Sequence, residues 1–158
     1  GNADFPPTSF QISNVASGTG ANNVIPGELQ AQFNLRYSPH WTADGLIQEI
    51  EAAFDAAGVK YQLDWHRSGE PFHTPPGLLR KSVSDAITAV TGLVPEENTA
   101  GGTSDGRFIA PLGARVVEVG PVNATIHKID ECVSVAELEQ LPDIYEGILL
   151  RVMRMMMG

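Results

Sequence analysis

Glu28-Leu29-Gln30-Ala31-Gln32-Phe33-Asn34-Leu35-Arg36-Tyr37 is the stretch that decides the fold. Leu29, Ala31, Phe33, Leu35 and Tyr37 alternate with Gln30, Gln32, Asn34 and Arg36. A period of two puts the first set on one face of a β-strand and the second on the other. The apolar face is expected to be packed, and the polar face presents Arg36. Upstream, residues 8–15 (TSFQISNV) carry strand character. Downstream, Thr42 and Asp44 stand before Leu46, Ile47, Ile50, Phe54 and Ala57, which share one helical face, and Gly58 supplies a stop. Tyr61, Leu63 and Trp65 then alternate as a further strand. Residues 8–66 read strand, strand, helix, strand, an α+β module on an antiparallel sheet. A β-α-β-β-α-β unit would need one more strand and helix in front.

Ser68-Gly69-Glu70-Pro71 breaks this pattern and Pro75-Pro76-Gly77 follows, placing a domain boundary near 68–76. Beyond it, Leu79, Val83, Ala86, Ile87 and Val90 form one helical stripe that Gly92 ends. Residues 104–111 suit a short helix and residues 115–119 (RVVEV) a buried strand. Ser134 with Glu137 makes a capping-box pattern. It opens a helix through Leu138, Leu141, Tyr145, Ile148 and Val152, with Pro142 expected to kink or restart it. This alternation of helix and strand suits part of an α/β sheet, too little for a complete doubly wound domain.

The chain has 158 residues, is 42 % apolar and carries a net charge of −9. The apolar share is enough for a core. The acidity argues against nucleic acid or an anionic membrane as a partner. No stretch reaches the roughly 18 apolar residues of a membrane span. The start, Gly1-Asn2-Ala3-Asp4, has no basic or apolar leader region. It also lacks an initiator methionine, and it reads as a processed or excised piece. Cys132 is the single cysteine. It permits no internal disulfide, fits a reducing cytosol, and lies in no nucleophile signature.

Four segments carry candidate chemistry. In Gly101-Gly102-Thr103-Ser104-Asp105-Gly106, paired glycines let backbone amides approach a ligand. The short helix that follows would offer free N–H groups to a carboxylate or oxyanion; the plain alternative is a capped tight turn. Gly120-Pro121-Val122-Asn123-Ala124-Thr125-Ile126-His127 follows the expected strand at 115–119, where α/β sheets place their ligand loops. His127 there suits a zinc ligand, although a single histidine makes no zinc site. Gly18-Thr19-Gly20-Ala21-Asn22-Asn23 lacks the ending of a phosphate loop and reads as a turn before the strand at 28–37, with two asparagines able to donate side-chain hydrogen bonds to a ligand. Arg36 suits a bidentate carboxylate clamp or a surface ion pair. Glu96-Glu97, after Pro95, reads as a solvated turn. His40, His66 and His73 have no ligand-set spacing, and Met153, Met155, Met156 and Met157 read as a helix end and its tail.

In this order, Phe5-Pro6-Pro7-Thr8-Ser9-Phe10-Gln11-Ile12, Gly18 through Glu28, Gly101 through Ile109 and Gly120 through Lys128 closely resemble the M20 metallopeptidase-like family. Within it they resemble the desuccinylases of N-succinyl-LL-2,6-diaminopimelate. The resemblance implies hydrolysis to succinate and LL-2,6-diaminopimelate, on the route to lysine and peptidoglycan, in a cytoplasmic homodimer. It implies two zinc ions per intact subunit, with cobalt possible, and weak or no metal for this chain alone. Residues 1–69 would be the later part of a ferredoxin-like lid, or dimerisation, domain. Residues 70–158 would be the last part of an α/β zinc-hydrolase catalytic domain.

By the same resemblance His127 is a metal ligand, and Asn22 and Asn23 reach the active site from the lid. Arg36 and Ser68 hold the diaminopimelate part; Gly102, Thr103 and Asn123 line the cleft. The chain departs from the family pattern: it has no His-x-Asp motif, the family's bridging aspartate and glutamate ligands are not matched in it, and the lid histidine that reaches across the dimer is absent. The general base and the remaining ligands are therefore expected in an amino-terminal half, with no catalytic residue here. Two alternatives stay open: a noncatalytic dimerising fragment, and an M20 deacylase or carboxypeptidase with another acyl substrate.

Overall fold

The computed structural model describes residues 1–99 and 102–157, excluding the side chain of Met156. The chain forms two compact units, Gly1–Pro71 with Asn98–Gly102, and Phe72–Glu97 with Thr103–Gly158.

In the first unit, strand β1 (Ser9–Ser17) pairs antiparallel with β2 (Leu29–Arg36). Phe10 and Ile12 are two residues apart but Ile12 and Val15 are three apart, so a regular strand would send Val15 to the polar face. The pairing register breaks between Ile12 and Asn14, leaving Ser13 as the extra residue of a bulge. That one insertion resets the phase. Phe10, Ile12 and Val15 thereby sit opposite Leu35, Phe33 and Ala31. Ser13 Oγ donates to the carbonyl of Gln32 at 3.3 Å, and Asn14 Nδ2 donates to Gln32 Oε1 at 3.0 Å. On the apolar face the rings of Phe10 and Phe33 stack at 4.8 Å, and Trp65 meets Phe33 edge-on at 5.6 Å. The expected packing of this face holds only near Phe33 and Leu35: Ile12 and Leu29 are 58 % and 66 % exposed.

Helix α1 (Ala43–Ala56) starts where Thr42 Oγ1 accepts the Gly45 N–H at 3.1 Å. It stops at Gly58, whose φ of 67° and N–H bond to the Asp55 carbonyl close the end. Leu46 is its buried contact. The alternating residues 61–65 join no ladder among the described residues. Instead Tyr61 packs on Phe54 at 5.1 Å and donates its hydroxyl to Asp55 at 2.8 Å, while the Trp65 indole donates to Glu51 at 3.3 Å. Alternation reports which side chains share a face; a strand also needs a neighbouring backbone, and here side chains alone hold the segment.

The second unit is built on α2 (Leu78–Thr91) and α4 (Val135–Met157). Ser82, Val83 and Ala86 of α2 and Ile144 of α4 are buried. Gly147 permits close approach: a Cβ there would lie 3.3 Å from that of Ala86. Gly92, at φ 74°, ends α2. Helix α4 runs unbroken from Val135 to Met157 with Pro142 inside it, so the expected restart does not occur. Proline removes one intrahelical bond and crowds one carbonyl, and packing on α2 just beyond it keeps the helix continuous. A short helix α3 (Gly106–Ile109) leads into a 3-10 turn (Ala110–Leu112).

Residues 115–119 form no ladder among the described residues, against the expected buried strand. Thr74 takes the place of a partner strand. Its Oγ1 accepts the Val116 N–H at 3.0 Å and donates to the Val116 carbonyl at 2.6 Å. Among the described residues, no helix is long and apolar enough to cross a membrane.

Candidate functional site

The loop that carries His127 is held by backbone turns and by side-chain bonds to its backbone. Two successive turns are closed by Ile126 N–H to the Asn123 carbonyl and Lys128 N–H to the Thr125 carbonyl, both at 3.0 Å. His127 is third in the second turn and has φ 60°. That is a position glycine takes freely and a residue with a Cβ takes at a cost of about 1–2 kcal/mol. Its N–H donates to the Glu131 carboxylate at 3.2 Å, and Lys128 Nζ donates to the Ala124 carbonyl at 2.8 Å. Thr125 Oγ1 accepts from Cys132 N–H at 3.0 Å and donates to the Cys132 carbonyl at 2.8 Å. His127 and Asn123 are both exposed.

The expected amide cradle ahead of α3 is not available. Ser104 Oγ accepts the Gly106 N–H at 2.9 Å, and the N–H groups of Arg107 and Phe108 bond the carbonyls of Ser104 and Asp105. A one-turn helix consumes its own first donors in this way. Gly106 is buried because Val116 and Phe72 fill the space where a side chain would be. Thr103 is exposed beside this turn, Gly102 is exposed in the first unit, and Gly101 lies outside the described residues. Arg107 stacks over Phe108 at 4.5 Å, and its buried Nε has no hydrogen-bond partner among the described residues.

In the first unit, Asn22 and Asn23 form an exposed turn between β1 and β2, after Gly18 and Gly20 at φ 88° and 83°. Arg36 ends β2 opposite Ser9 and is exposed. The Tyr37 hydroxyl donates to Glu70 at 3.3 Å, and Arg67 pairs with Asp44 at the start of α1. These contacts tie the chain beside Arg36 to the short segment that presents Ser68. Burial holds the Tyr37 phenol above its usual 10.0, and the charge and hydrogen bond of Glu70 add to this. A carboxylate that accepts from the neutral phenol opposes a second negative charge.

Among the described residues, no three His, Cys, Asp or Glu side chains converge to hold a metal ion. A structural or catalytic zinc takes three or four protein ligands. His127, exposed in its loop, is one donor, so these residues do not by themselves fit a zinc pair.

Residues 2–62 match the family description "Peptidase dimerisation domain". Over 149 residues the chain is 60 % identical to a succinyl-diaminopimelate desuccinylase of Xanthomonas campestris pv. campestris (strain B100), covering 94 % of this chain and 40 % of that protein. It is 58 % identical over 153 residues to a protein of the same name from Xylella fastidiosa (strain M12), covering 97 % of this chain and 41 % of that one. The one from Stenotrophomonas maltophilia (strain R551-3) is likewise 58 % identical over 153 residues, with the same coverage.

Residues 2–62 of this chain are a peptidase dimerisation domain of the M20 type.

The chain corresponds to a carboxy-terminal part of these M20 relatives and spans about two fifths of their length. Its first unit is the α+β dimerisation module of the M20 type. Of the candidate residues, Asn22, Asn23 and Arg36 lie within the dimerisation match. Ser68, Gly102, Thr103, Asn123 and His127 lie outside it. Thr125 and Glu131, which bond the backbone around His127, went unassigned in the sequence, although Thr125 stands inside the quoted loop. The readable signal was a hydroxyl two residues before a histidine, in a turn sequence without glycine.

Proposed function

We propose that the M20 protein to which this sequence belongs hydrolyses N-succinyl-LL-2,6-diaminopimelate to succinate and LL-2,6-diaminopimelate. This chain would contribute the lid (residues 1–69) and the last part of the catalytic domain (residues 70–158). The observation that carries this reading is an identity near 60 % to desuccinylases across 94 % of the chain. The substrate carries several carboxylates and amines. Arg36, on the polar face of β2, suits a carboxylate through two parallel N–H bonds. Asn22, Asn23, Ser68, Thr103 and Asn123 offer exposed amide and hydroxyl groups for its polar remainder, with the backbone of Gly102 free of side-chain bulk. In this reading His127 gives one nitrogen to a zinc ion, and the other donors and the general base belong to chain outside these 158 residues. The protein is a cytoplasmic homodimer assembled through the lid, which the dimerisation match supports.

The test is succinate release from N-succinyl-LL-2,6-diaminopimelate. The 158-residue chain is expected to release none. The protein extended to the length of its relatives is expected to be active, and Arg36→Ala in that protein to raise KM. Turnover of acetylated but not succinylated substrate would overturn the substrate assignment. A noncatalytic dimerising fragment is the second reading, favoured by the dimerisation match over residues 2–62. Stoichiometric zinc and desuccinylation by the 158-residue chain would refute it.

A further inference from the structure

His127 stands in the third position of the turn Thr125–Lys128 with a left-handed backbone, and Asp130, three residues on, has φ 61°. These are the two non-glycine residues of positive φ among the described residues. Aspartate and histidine both occur in this region more often than most residues with a Cβ, yet each still sits there at a cost glycine does not meet. Strained backbone persists only where surrounding contacts over-determine it, and here they can be named. Thr125 Oγ1 makes both bonds to the backbone of Cys132, at 3.0 and 2.8 Å, as a partner strand would. Inside that closure, Glu131 takes the His127 N–H and Lys128 takes the Ala124 carbonyl. Every one of these bonds is made by a side chain to backbone, and none of them uses the imidazole.

We propose that Thr125 is the positioning residue of this loop: its hydroxyl clasps residues 125 and 132 together and so holds His127 in the left-handed conformation that presents its ring. This deepens the reading of His127 given above and rests on it for the purpose of the clasp, though not for its existence.

The test uses the 158-residue chain with Thr125→Val, which keeps the side-chain shape and removes the hydroxyl, and Thr125→Ser, which keeps the hydroxyl. Backbone 15N relaxation and amide exchange are read at residues 126–132. Wild type and Thr125→Ser are expected to show His127 near the rigid limit, with an order parameter of about 0.85, and a protected Cys132 amide. Thr125→Val is expected to bring His127 below about 0.6 and to lose the Cys132 protection, with the melting temperature unchanged. Rescue by serine separates the hydroxyl from mere filling of space. An unaltered order parameter in Thr125→Val overturns the proposal. So does global unfolding, since an exposed clasp lies outside the buried contacts of Ala86 and Ile144.

Zinc chloride added to the same samples, followed through the imidazole signals of the four histidines, tests the reading beneath it. Selective perturbation of His127, with half-saturation raised several-fold in Thr125→Val, supports both. Loosening in Thr125→Val with no preference of zinc for His127 leaves the clasp standing and removes the metal-ligand reading.

Discussion

Gly106→Ala isolates what the Gly101–Gly106 motif does. In a helix, alanine is ordinarily the better residue by about 0.5–1 kcal/mol, because glycine loses more backbone freedom on folding. Local propensity alone therefore predicts a stabilising substitution. The structure predicts the opposite. A Cβ on residue 106 would lie 2.8 Å from Val116 Cγ1, 2.9 Å from Phe72 Cζ and 2.9 Å from Ser104 Oγ. Val116 is β-branched and its backbone is fixed at both N–H and C=O by Thr74. Ser104 Oγ is itself committed to the residue 106 amide. Two of the three neighbours, Val116 and Ser104, are held in place, and forcing a methyl group into a filled site costs about 1–3 kcal/mol. After the propensity gain the net loss is about 0–2.5 kcal/mol, with a middle value of about 1 kcal/mol, or roughly 4–8 °C in Tm for a unit of this size. Thermal and urea unfolding followed by circular dichroism would read it. The same substitution in a Val116→Ala background should cost clearly less, because one of the three obstructions is gone. A stabilising Gly106→Ala would refute the account.

Thr74→Val should lower stability by about 1–3 kcal/mol, since it strips both backbone groups of Val116 of their partner; equilibrium urea unfolding checks this. The near-ultraviolet tyrosinate absorbance of the chain should show Tyr37 and Tyr61 ionising above the usual 10.0, with the Tyr37 component absent in Tyr37→Phe. A raised folded-state pKa of an acid stabilises below the unfolded value, so the Tyr37–Glu70 contribution should be fully present below pH 10 and lost as pH rises through the folded pKa.

Much of the architecture is legible in local pattern. The alternation of residues 28–37, the Thr42 cap, the Gly58 and Gly92 stops and the stripe on α2 all concern neighbours in sequence. Short-range sterics and hydrogen bonding determine them. The family and the loop bearing His127 were readable for a related reason: runs of specific residues survive as words in the sequence.

What failed to read were the relations between distant segments. Residues 61–65 and 115–119 have strand periodicity, but the first is tied to α1 through the side chains of Tyr61 and Trp65 and the second is bonded by the Thr74 side chain, and no local rule announces that. The bulge at Ser13 shows only when Val15 is set against its partner Ala31. The amides of α3 look free until Ser104 and Asp105 are found to accept them. Nothing local shows that Gly106 is buried; that needs Val116 and Phe72 placed beside it. Sequence by itself determined which residues prefer which backbone and which face is apolar, because those are properties of a residue and its near neighbours. The tertiary structure decided which polar groups are already satisfied and which remain for a ligand, because a hydrogen bond between remote residues exists only once the chain has brought them together.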